Sequence, residues 1–306
     1  MRRMVPPATP PIAFILSLAW YICFMSALPD SFSDFTSSSC CREQFIVDFL
    51  ESRGVQTSII PLGDSRHIYA RFDSIAYNPN FKIKTAIAHY DRVPQSPGSN
   101  DNSAAVWQLM EFAARLKNFP GAHNMRIFWT DGEEIGSSSA LTGMGAFGIA
   151  QRLKALGITN DDVYVFDCCG RGDVAVLAKT RQALITDLTK RTQSLLSSVA
   201  GGGWVSLPVS YSDNAGFLAQ GIPAVLVTLL PSDEATRYMR ELQRDKTLEK
   251  AVLNNAGASD PRVKEKLPLT WRLLHSSGDD DSSLTPESFS LMRTLLDKLA
   301  AAKTVA

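Results

Sequence analysis

Apolar and polar residues alternate along several segments of the chain with the two-residue period of a β-strand. The clearest case runs from residue 81 to residue 87, where Ile83, Thr85 and Ile87 alternate with lysines. This pattern predicts a strand that leads directly into His89. Further apolar runs rich in strand-forming residues predict strands at residues 67–72, 125–129, 163–166 and 224–229.

Other segments repeat their apolar residues with the period of a helix. In residues 103–116, Leu109, Phe112 and Leu116 share one face with alanines, which predicts an amphipathic helix. The last helix is predicted to begin with Thr285 as its N-cap and Pro286 at its first helical position. More helices are predicted at residues 44–53, 147–156, 182–199 and 213–220.

Strands that alternate with helices are typical of the α/β class. The order of elements therefore predicts a single α/β domain, residues 31–306, with a mostly parallel mixed central β-sheet and helices on both faces. Residues 232–271 depart from this alternation because they are charged and contain no clear strand. We interpret them as a helical insertion near the functional site rather than as a second domain.

The first 30 residues form an apolar segment of their own. Residues 11–28 contain no charge and follow two arginines, which is typical of an export signal or a membrane anchor. The same pattern would also suit an apolar helix packed on the domain. We expect an exported protein that is periplasmic, secreted or associated with a membrane through this segment, and a cytoplasmic location is the alternative.

The composition excludes one class of partner. The chain has 31 Lys+Arg and 31 Asp+Glu, so its formal net charge is zero and no basic field would attract nucleic acid. At 306 residues with 45% hydrophobic content, it can bury a sizeable core. Its cysteines include adjacent pairs at residues 40–41 and 168–169, and adjacent cysteines rarely bridge each other. Cysteine usage alone would therefore suit a reducing compartment.

Acidic and histidine side chains follow the predicted strands, where an α/β sheet presents its reactive groups. His89 ends one strand and Asp91 follows it, although such a pair alone is also typical of a surface histidine beside a solvated aspartate. Glu133 and Glu134 follow a second strand, and adjacent like charges are costly unless cations, protons or solvent offset them. Asp167 follows a third strand. Together these positions predict a site that binds cations.

Asp101 and His275 complete the candidate cluster. Asp101 lies in a polar turn that opens the next helix, so it is either a helix N-cap or a carboxylate that gives one oxygen to each of two metal ions. His275 lies between an apolar pair and a run of aspartates. The chain has only four histidines, and two of them occupy positions of this kind. Mixed imidazole and carboxylate ligands indicate zinc.

These motifs, taken in order, resemble those of the co-catalytic di-zinc aminopeptidases of the bacterial secreted leucyl aminopeptidase type, which are related to glutaminyl cyclases. The resemblance extends over about residues 42–298 and implies the zinc exopeptidase, or phosphorylase/hydrolase-like, fold. It rests on residues 88–91 (AHYD), 97–103 (PGSNDNS), 131–136 (DGEEIG), 166–170 (FDCCG), 212–213 with 221–224 (SD, GIPA), and His275 with the aspartates that follow it.

The resemblance also implies a set of metal ligands. His89, Asp101 and Asp167 would bind one zinc ion. Asp101, Glu134 and His275 would bind the other, so the implied cofactor is two zinc ions per chain. The family also tends to have a cis peptide bond directly after the shared aspartate.

The remaining roles implied by the resemblance concern catalysis and substrate binding. Glu133 would be the general base and acid, and Asp91 would orient His89. Ser212, Asp213 and Asn214 would contact the substrate. Relatives often have a histidine where this chain has Asn214, so the contact made by that histidine is in doubt here.

Three functions follow from this interpretation. The first is a zinc-dependent exopeptidase that removes N-terminal residues from peptides with a free N-terminus, with Glu133 as general base. The alternative is a glutaminyl-peptide cyclotransferase with one zinc ion, but its relatives have serine where this chain has Asn102. A non-catalytic interaction domain is the third, and it would be expected to have lost ligands that this chain retains.

Overall fold

The computed structural model describes residues 30–134, 141–179, 186–199, 203–254 and 260–306. Its eight strands, numbered in chain order, are β1 Gln56–Leu62, β2 Ser65–Arg71, β3 Lys84–His89, β4 Met125–Thr130, β5 Asp162–Phe166, β6 Val174–Lys179, β7 Trp204–Pro208 and β8 Ala224–Leu230. They form one sheet in the order β1-β2-β4-β3-β5-β8-β6-β7.

Helices connect these strands and complete the fold. The α-helices of the described residues are α1 Asp30–Thr36, α2 Arg42–Ser52, α3 Ala104–Leu116, α4 Gly145–Ala155, α5 Asp187–Val199, α6 Asn214–Ala219, α7 Ser232–Arg244, α8 Leu248–Leu253, α9 Pro261–Lys264, α10 Leu269–Leu273 and α11 Pro286–Ala301. Shorter helical turns lie at Ser74–Ala76, Ser99–Ser103, Leu141–Gly143 and Asp281–Ser283.

The sheet is mixed, with a parallel centre. β3 pairs in parallel with β4 and with β5, and β5 pairs in parallel with β8. β6 and β7 are also parallel to each other, whereas the pairs β1–β2, β2–β4 and β6–β8 are antiparallel. The predicted α/β fold class with a mixed, mostly parallel central sheet is therefore confirmed.

Two hydrophobic clusters hold the helices against the sheet. Helices α2, α3, α5 and α11 contribute to the larger cluster, which contains Leu50, Phe112 and Leu296. Helices α4 and α6 contribute Ile149 and Phe217 to the second cluster. All residues of β3, β5 and β8 are buried, as expected for central strands covered by helices on both faces.

Three strands were not predicted from the sequence. β1 and β7 are the two edges of the sheet, and their partly exposed polar residues obscure the strand pattern. β6 is apolar enough to be recognised, but it lies beside the predicted helix at residues 182–199. That helix begins at Asp187, and residues 180–185 lie outside the described part of the chain.

Residues 232–271 contain helices α7, α8 and α9 and the start of α10, and no strand among the residues described. The edge of the Trp271 ring packs on Tyr238, with 5.2 Å between ring centroids, and the Tyr238 hydroxyl donates a hydrogen bond to the Pro208 carbonyl. Tyr238 also lies in a third hydrophobic cluster with Val176 and Leu230 of the sheet. The charged segment is thus packed on the β6, β7 and β8 side of the fold.

At the amino-terminal side, α1 packs on the domain through Phe32 and Phe35, which are fully buried. The Phe32 ring lies edge-on to Trp107 of α3, with 5.5 Å between centroids. The apolar segment predicted to be a signal, an anchor or a packed helix lies outside the described residues, up to residue 29. Within the described ranges, the structure contains no helix with the length and apolar character needed to cross a bilayer.

The first residue of β3 ties the sheet to the end of the last helix. Lys84 is buried, and its ammonium group donates hydrogen bonds to the carbonyls of Leu299, Ala300 and Ala302. These carbonyls belong to the last turn of α11 and to Ala302, its C-cap, where a helix leaves its acceptors unsatisfied. The lysine supplies both the missing donors and a positive charge at the negative end of the helix dipole.

Candidate metal centre

The predicted cluster forms at the carboxyl edge of the parallel strands. His89 is the last residue of β3, Asp167 directly follows β5, and Glu133 and Glu134 follow β4. Since β4, β3 and β5 are adjacent and parallel, their carboxyl ends meet at one edge of the sheet. The fold therefore brings together side chains that are up to 78 residues apart in sequence.

The first group of potential ligands consists of His89, Asp101 and Asp167. His89 Nε2 lies 3.3 Å from Asp101 Oδ1 and 3.6 Å from Asp167 Oδ1. The imidazole is 1% exposed, yet neither of its ring nitrogens makes a well-directed hydrogen bond with a described residue. A buried nitrogen in this state is suited to a metal ion between it and the carboxylates.

The second group consists of Asp101, Glu134 and His275. His275 Nε2 lies 3.3 Å from Asp101 Oδ2 and 3.1 Å from Glu134 Oε1. Asp101 thus presents Oδ1 to the first group and Oδ2 to the second. This is the arrangement of a carboxylate that bridges two cations.

Backbone contacts fix Asp101 in this position. Its peptide bond to Asn102 is cis, as the sequence resemblance implied. The Asp279 carboxylate accepts the backbone N–H groups of Asn100, at 2.8 Å, and of Asp101, at 3.1 Å. Helix α3 begins at Ala104 and Ser103 occupies its N-cap position, two residues after Asp101, so the alternative in which Asp101 caps this helix is wrong.

Asn102 ties the same turn to the end of β5. Its side-chain amide donates to the Phe166 carbonyl at 2.9 Å, and its side-chain oxygen accepts the N–H of Cys168 at 3.3 Å. Asn102 is completely buried. The contact therefore couples the backbone beside Asp101 to the residues on either side of Asp167.

A buried arginine holds the loop between His89 and Asp101. Arg42 of α2 donates hydrogen bonds to the carbonyls of Tyr90 and Pro97 and to the Ser103 hydroxyl. Burial, together with the neighbouring Arg92, lowers the pKa of the Arg42 guanidinium to about 10. Arg42 was not predicted from the sequence, because its partners are two backbone carbonyls and a side-chain hydroxyl that lie 48 to 61 residues away.

Asp91 lies behind His89, as the sequence resemblance implied. Its Oδ1 is 3.5 Å from His89 Nδ1, and its Oδ2 accepts the backbone N–H of Glu134 at 2.8 Å. The residue is buried. One carboxylate can therefore orient both the imidazole of the first group and the loop that carries both glutamates.

Glu133 lies beside the two ligand groups without belonging to either of them. Burial raises its pKa well above the usual value for a glutamate, and the negative charges of Asp167, Glu134 and Asp213 raise it further against the opposing effect of His89. A carboxyl with a raised pKa holds a proton more readily than an ordinary glutamate, which suits it to accept a proton and pass it on.

The charges of the two groups depend strongly on each other. The carboxylates of Asp101 and Glu134 raise the pKa of His275 to about 10. Burial acts to lower the pKa of His89, but Asp101, Asp167 and Asp91 outweigh it and raise that pKa well above 6.5. Within the described chain, no lysine or arginine forms an ion pair with these ligand carboxylates, so the histidines supply the compensating positive charge. Bound cations would displace those protons.

The predicted substrate-binding triplet lies at the start of α6, and all three of its residues are buried. The Thr130 hydroxyl at the end of β4 donates to Asp213, whose pKa burial raises to about 7. The Asn214 side chain accepts the backbone N–H of Ser212 at 3.2 Å and so closes its own turn. The structure places Asp213 beside the ligand groups, whereas the described contacts of Asn214 are local.

Comparison with known proteins gives one family and several solved folds. Peptidase family M28 matches residues 78–292, which is more than half of the chain. Aminopeptidase YwaD of Bacillus subtilis (strain 168) is 43% identical over 49 residues, 16% of this chain and 11% of that protein. The matched part of the chain thus spans about a tenth of the length of this curated relative.

The similar solved structures have low sequence identity and therefore bear on the fold alone. A Zn-dependent exopeptidase from Parabacteroides distasonis superposes with a TM-score of 0.61 at 15% identity, covering 89% of this chain and 96% of that one. LapA of Legionella pneumophila gives 0.60 at 15% identity, with coverages of 89% and 71%. A glutaminyl cyclase of an Acidobacteriales bacterium gives 0.60 at 17% identity, with coverages of 85% and 84%.

Proposed function

The chain belongs to peptidase family M28, and on that premise we propose that it is a zinc-dependent aminopeptidase that removes N-terminal residues from peptides. The observation that carries this proposal is the position of Asp101, whose two oxygens face two different groups of ligands. A carboxylate in that position supports the use of two metal ions in one reaction. The proposed substrates are peptides with a free N-terminus.

The spacing of the ligand atoms fits zinc. Zinc bonds to nitrogen and oxygen are about 2.0 to 2.2 Å long, so two ligands of a tetrahedral ion lie about 3.3 Å apart. In the two groups, the imidazole nitrogens lie 3.1 to 3.6 Å from the carboxylate oxygens. His89, Asp101 and Asp167 would hold one ion, and Asp101, Glu134 and His275 the other.

Bound zinc ions supply Lewis acidity, which polarises a peptide carbonyl and makes water a better nucleophile. Glu133 takes the proton from the attacking water and passes it to the leaving amine. Its raised pKa suits both steps, because the carboxylate accepts the proton and the carboxylic acid can give it up again. Asp91 keeps His89 in its ligand orientation from behind.

Two observations favour this function over glutaminyl cyclisation, although a glutaminyl cyclase shares the fold. The described residues form two ligand groups, whereas the cyclase interpretation requires one zinc ion. It also has Asn102 after the shared aspartate, where the cyclase resemblance implies serine. A non-catalytic domain is disfavoured because all five candidate ligands and Glu133 lie together.

Metal content and substrate use test the proposal together. Elemental analysis of the purified protein should give two zinc ions per chain. A panel of aminoacyl p-nitroanilides should be hydrolysed, and the N-acetylated form of the best substrate should not be, because it lacks a free N-terminus. One zinc ion per chain, with cyclisation of a peptide that begins with glutamine, would establish the cyclase instead.

A further inference from the structure

A single arginine joins three separate parts of the chain next to the metal centre. Arg171 follows β5 by five residues, and each of its guanidinium nitrogens donates one hydrogen bond. Nε donates to the Thr270 hydroxyl at 3.1 Å, one terminal nitrogen to the Ser283 carbonyl at 3.0 Å, and the other to Glu234 Oε1 at 3.2 Å. A planar guanidinium fixes its three partners relative to one another.

The Glu234 carboxylate completes this contact from the helical insertion. It lies in the first turn of α7 and is 3% exposed. Its second oxygen, Oε2, accepts the backbone N–H of Thr270 at 2.7 Å. Thr270, at the start of α10, is therefore held twice, through its hydroxyl by Arg171 and through its backbone by Glu234. Burying a carboxylate is costly unless it is paired in this way.

Thr270 and Ser283 are the two ends of the segment that carries His275. The same segment carries Asp279, which holds the backbone of Asp101. Between these ends, the Ser96 hydroxyl donates to the Ser276 carbonyl at 3.0 Å. The His275 side chain itself is 52% exposed, and its backbone has a positive φ of 61°. Little packing surrounds this imidazole, so its position depends on how the segment is anchored.

We propose that Arg171 and Glu234 are positioning residues that set the zinc affinity of the site formed by Asp101, Glu134 and His275. The inference rests on the proposed function, because it assumes that two zinc ions bind. It gives the helical insertion at residues 232–271 a specific role. The insertion supplies Glu234 and Thr270, and through them it anchors the segment that presents His275.

The test compares the same substitution at two arginines, of which only Arg171 contacts the segment that carries His275. Arg171→Lys keeps the positive charge but replaces the planar guanidinium, whose three nitrogens each hold one partner in a fixed direction, with a single compact ammonium group. Arg191→Lys is the matched control, since Arg191 donates to the buried carboxylate of Asp162 at 2.7 and 2.8 Å, and Asp162 is the first residue of β5, at the opposite end from the metal centre. Each protein is loaded with zinc and titrated with a chelator, and free zinc is followed with an indicator dye.

Arg171→Lys should release one zinc ion at a chelator strength at which the wild type retains both. Loss of a residue that orients a metal ligand typically weakens metal binding by about 10- to 100-fold. The other ion, at His89, Asp101 and Asp167, should be retained as in the wild type. Arg191→Lys should retain both ions like the wild type.

The outcomes separate this inference from the proposed function. A wild-type chain that binds fewer than two zinc ions overturns the proposed function and this inference with it. A two-zinc wild type with unchanged retention in Arg171→Lys, or with equal losses in Arg171→Lys and Arg191→Lys, overturns the inference alone. If Arg171→Lys does not fold, the same zinc titration is carried out on Glu234→Gln. This variant keeps an oxygen for the Thr270 N–H but loses the charge that faces Arg171, and unchanged retention in it likewise overturns the inference.

Discussion

Two adjacent glutamates occupy different positions in the metal centre. Glu134 faces His275 at 3.1 Å, whereas Glu133 belongs to neither ligand group. Glu133→Gln keeps the shape of the side chain but removes its basic oxygen. We expect it to retain both zinc ions and to lower kcat by about 10²- to 10⁴-fold, the usual contribution of a positioned general base.

Glu134→Gln is the matched comparison, and it should lose zinc more readily than the wild type. Zinc content by elemental analysis and kcat on the best aminoacyl substrate distinguish the two variants. Near wild-type turnover in Glu133→Gln, or loss of its metal to the extent seen in Glu134→Gln, would contradict the assigned roles.

Asp91 gives a second prediction at this scale. Its carboxylate faces His89 Nδ1 and accepts the N–H of Glu134, so Asp91→Asn should weaken zinc binding by about 10- to 100-fold. Asp131→Asn is the control, because Asp131 lies in the same loop and accepts the backbone N–H of Arg66, away from His89. Chelator titration measures both, and equal zinc retention in the two variants would rule out an orienting role for Asp91.

The site residues that directly follow strands could be predicted from the sequence, because the carboxyl ends of parallel strands lie at the same edge of the sheet. His89, Glu133 and Asp167 all belong to this class. Arg42, Arg171 and Asp279 could not be predicted. They act through hydrogen bonds to backbone groups or side chains far away in sequence, and no local pattern marks such partners.

At the scale of elements, the start of α4 lies directly against the loop that carries both glutamates. A Cβ at Gly145 would overlap the Asp131 carbonyl oxygen and come within 2.7 Å of the His67 ring. A Cβ at Gly148, one turn further along the same helix, would make ordinary contact with Leu62 at 3.6 Å. Substitutions at the two glycines therefore test whether helix α4 must approach the loop that carries Glu133 this closely.

Gly145→Ala should destabilise the protein by about 1 to 3 kcal/mol, the typical cost of overpacking, and should lower activity because the displaced backbone carries Glu133. Gly148→Ala should be neutral or stabilise by up to about 1 kcal/mol, since alanine favours the helix. Urea unfolding and kcat/KM measure both effects. Equal stability of the two variants would show that the loop can move without cost.

The elements themselves were predictable to different extents. The central strands β5 and β8 were predicted because burial on both faces requires continuous apolar runs. The strand β3 was predicted from the alternation of residues 81–87, although all of its residues are buried. The edge strands have an exposed side that admits polar residues and, in β1, Pro61. Thr285 does occupy the N-cap position of α11, but its hydroxyl accepts the N–H of Gly172 rather than one of that helix. The sequence therefore predicts where α11 begins, but it does not predict the hydrogen-bond partner of the Thr285 hydroxyl.

For the whole molecule, Lys84 predicts how stability depends on pH. Burial lowers the pKa of its ammonium group to about 8, from 10.5 in an unfolded chain. Between these two values the unfolded chain binds more protons than the folded one, so stability rises with pH. The gain in the free energy of unfolding that comes from Lys84 is complete above pH 10.5 and is lost as the pH falls through about 8. A shift of this size corresponds to about 3 kcal/mol.

Lys84→Met removes the titrating group, so the free energy of unfolding of the wild type should rise relative to this variant between pH 8 and 10.5. Urea unfolding at a series of pH values measures the difference. Lys82→Met, two residues earlier, leaves Lys84 intact and should show the same rise as the wild type. Parallel pH profiles for the wild type and Lys84→Met would mean that Lys84 remains protonated throughout.

The order of the ligands along the chain has a consequence for synthesis on the ribosome. His275 follows all eight strands of the described residues, whereas the other candidate ligands lie at or before Asp167. A nascent chain could therefore complete its sheet while the second ligand group still lacked its only imidazole. If the proposed function holds, an emerging chain cannot trim the free N-termini of its neighbours until His275 has been synthesised and has joined the other ligands.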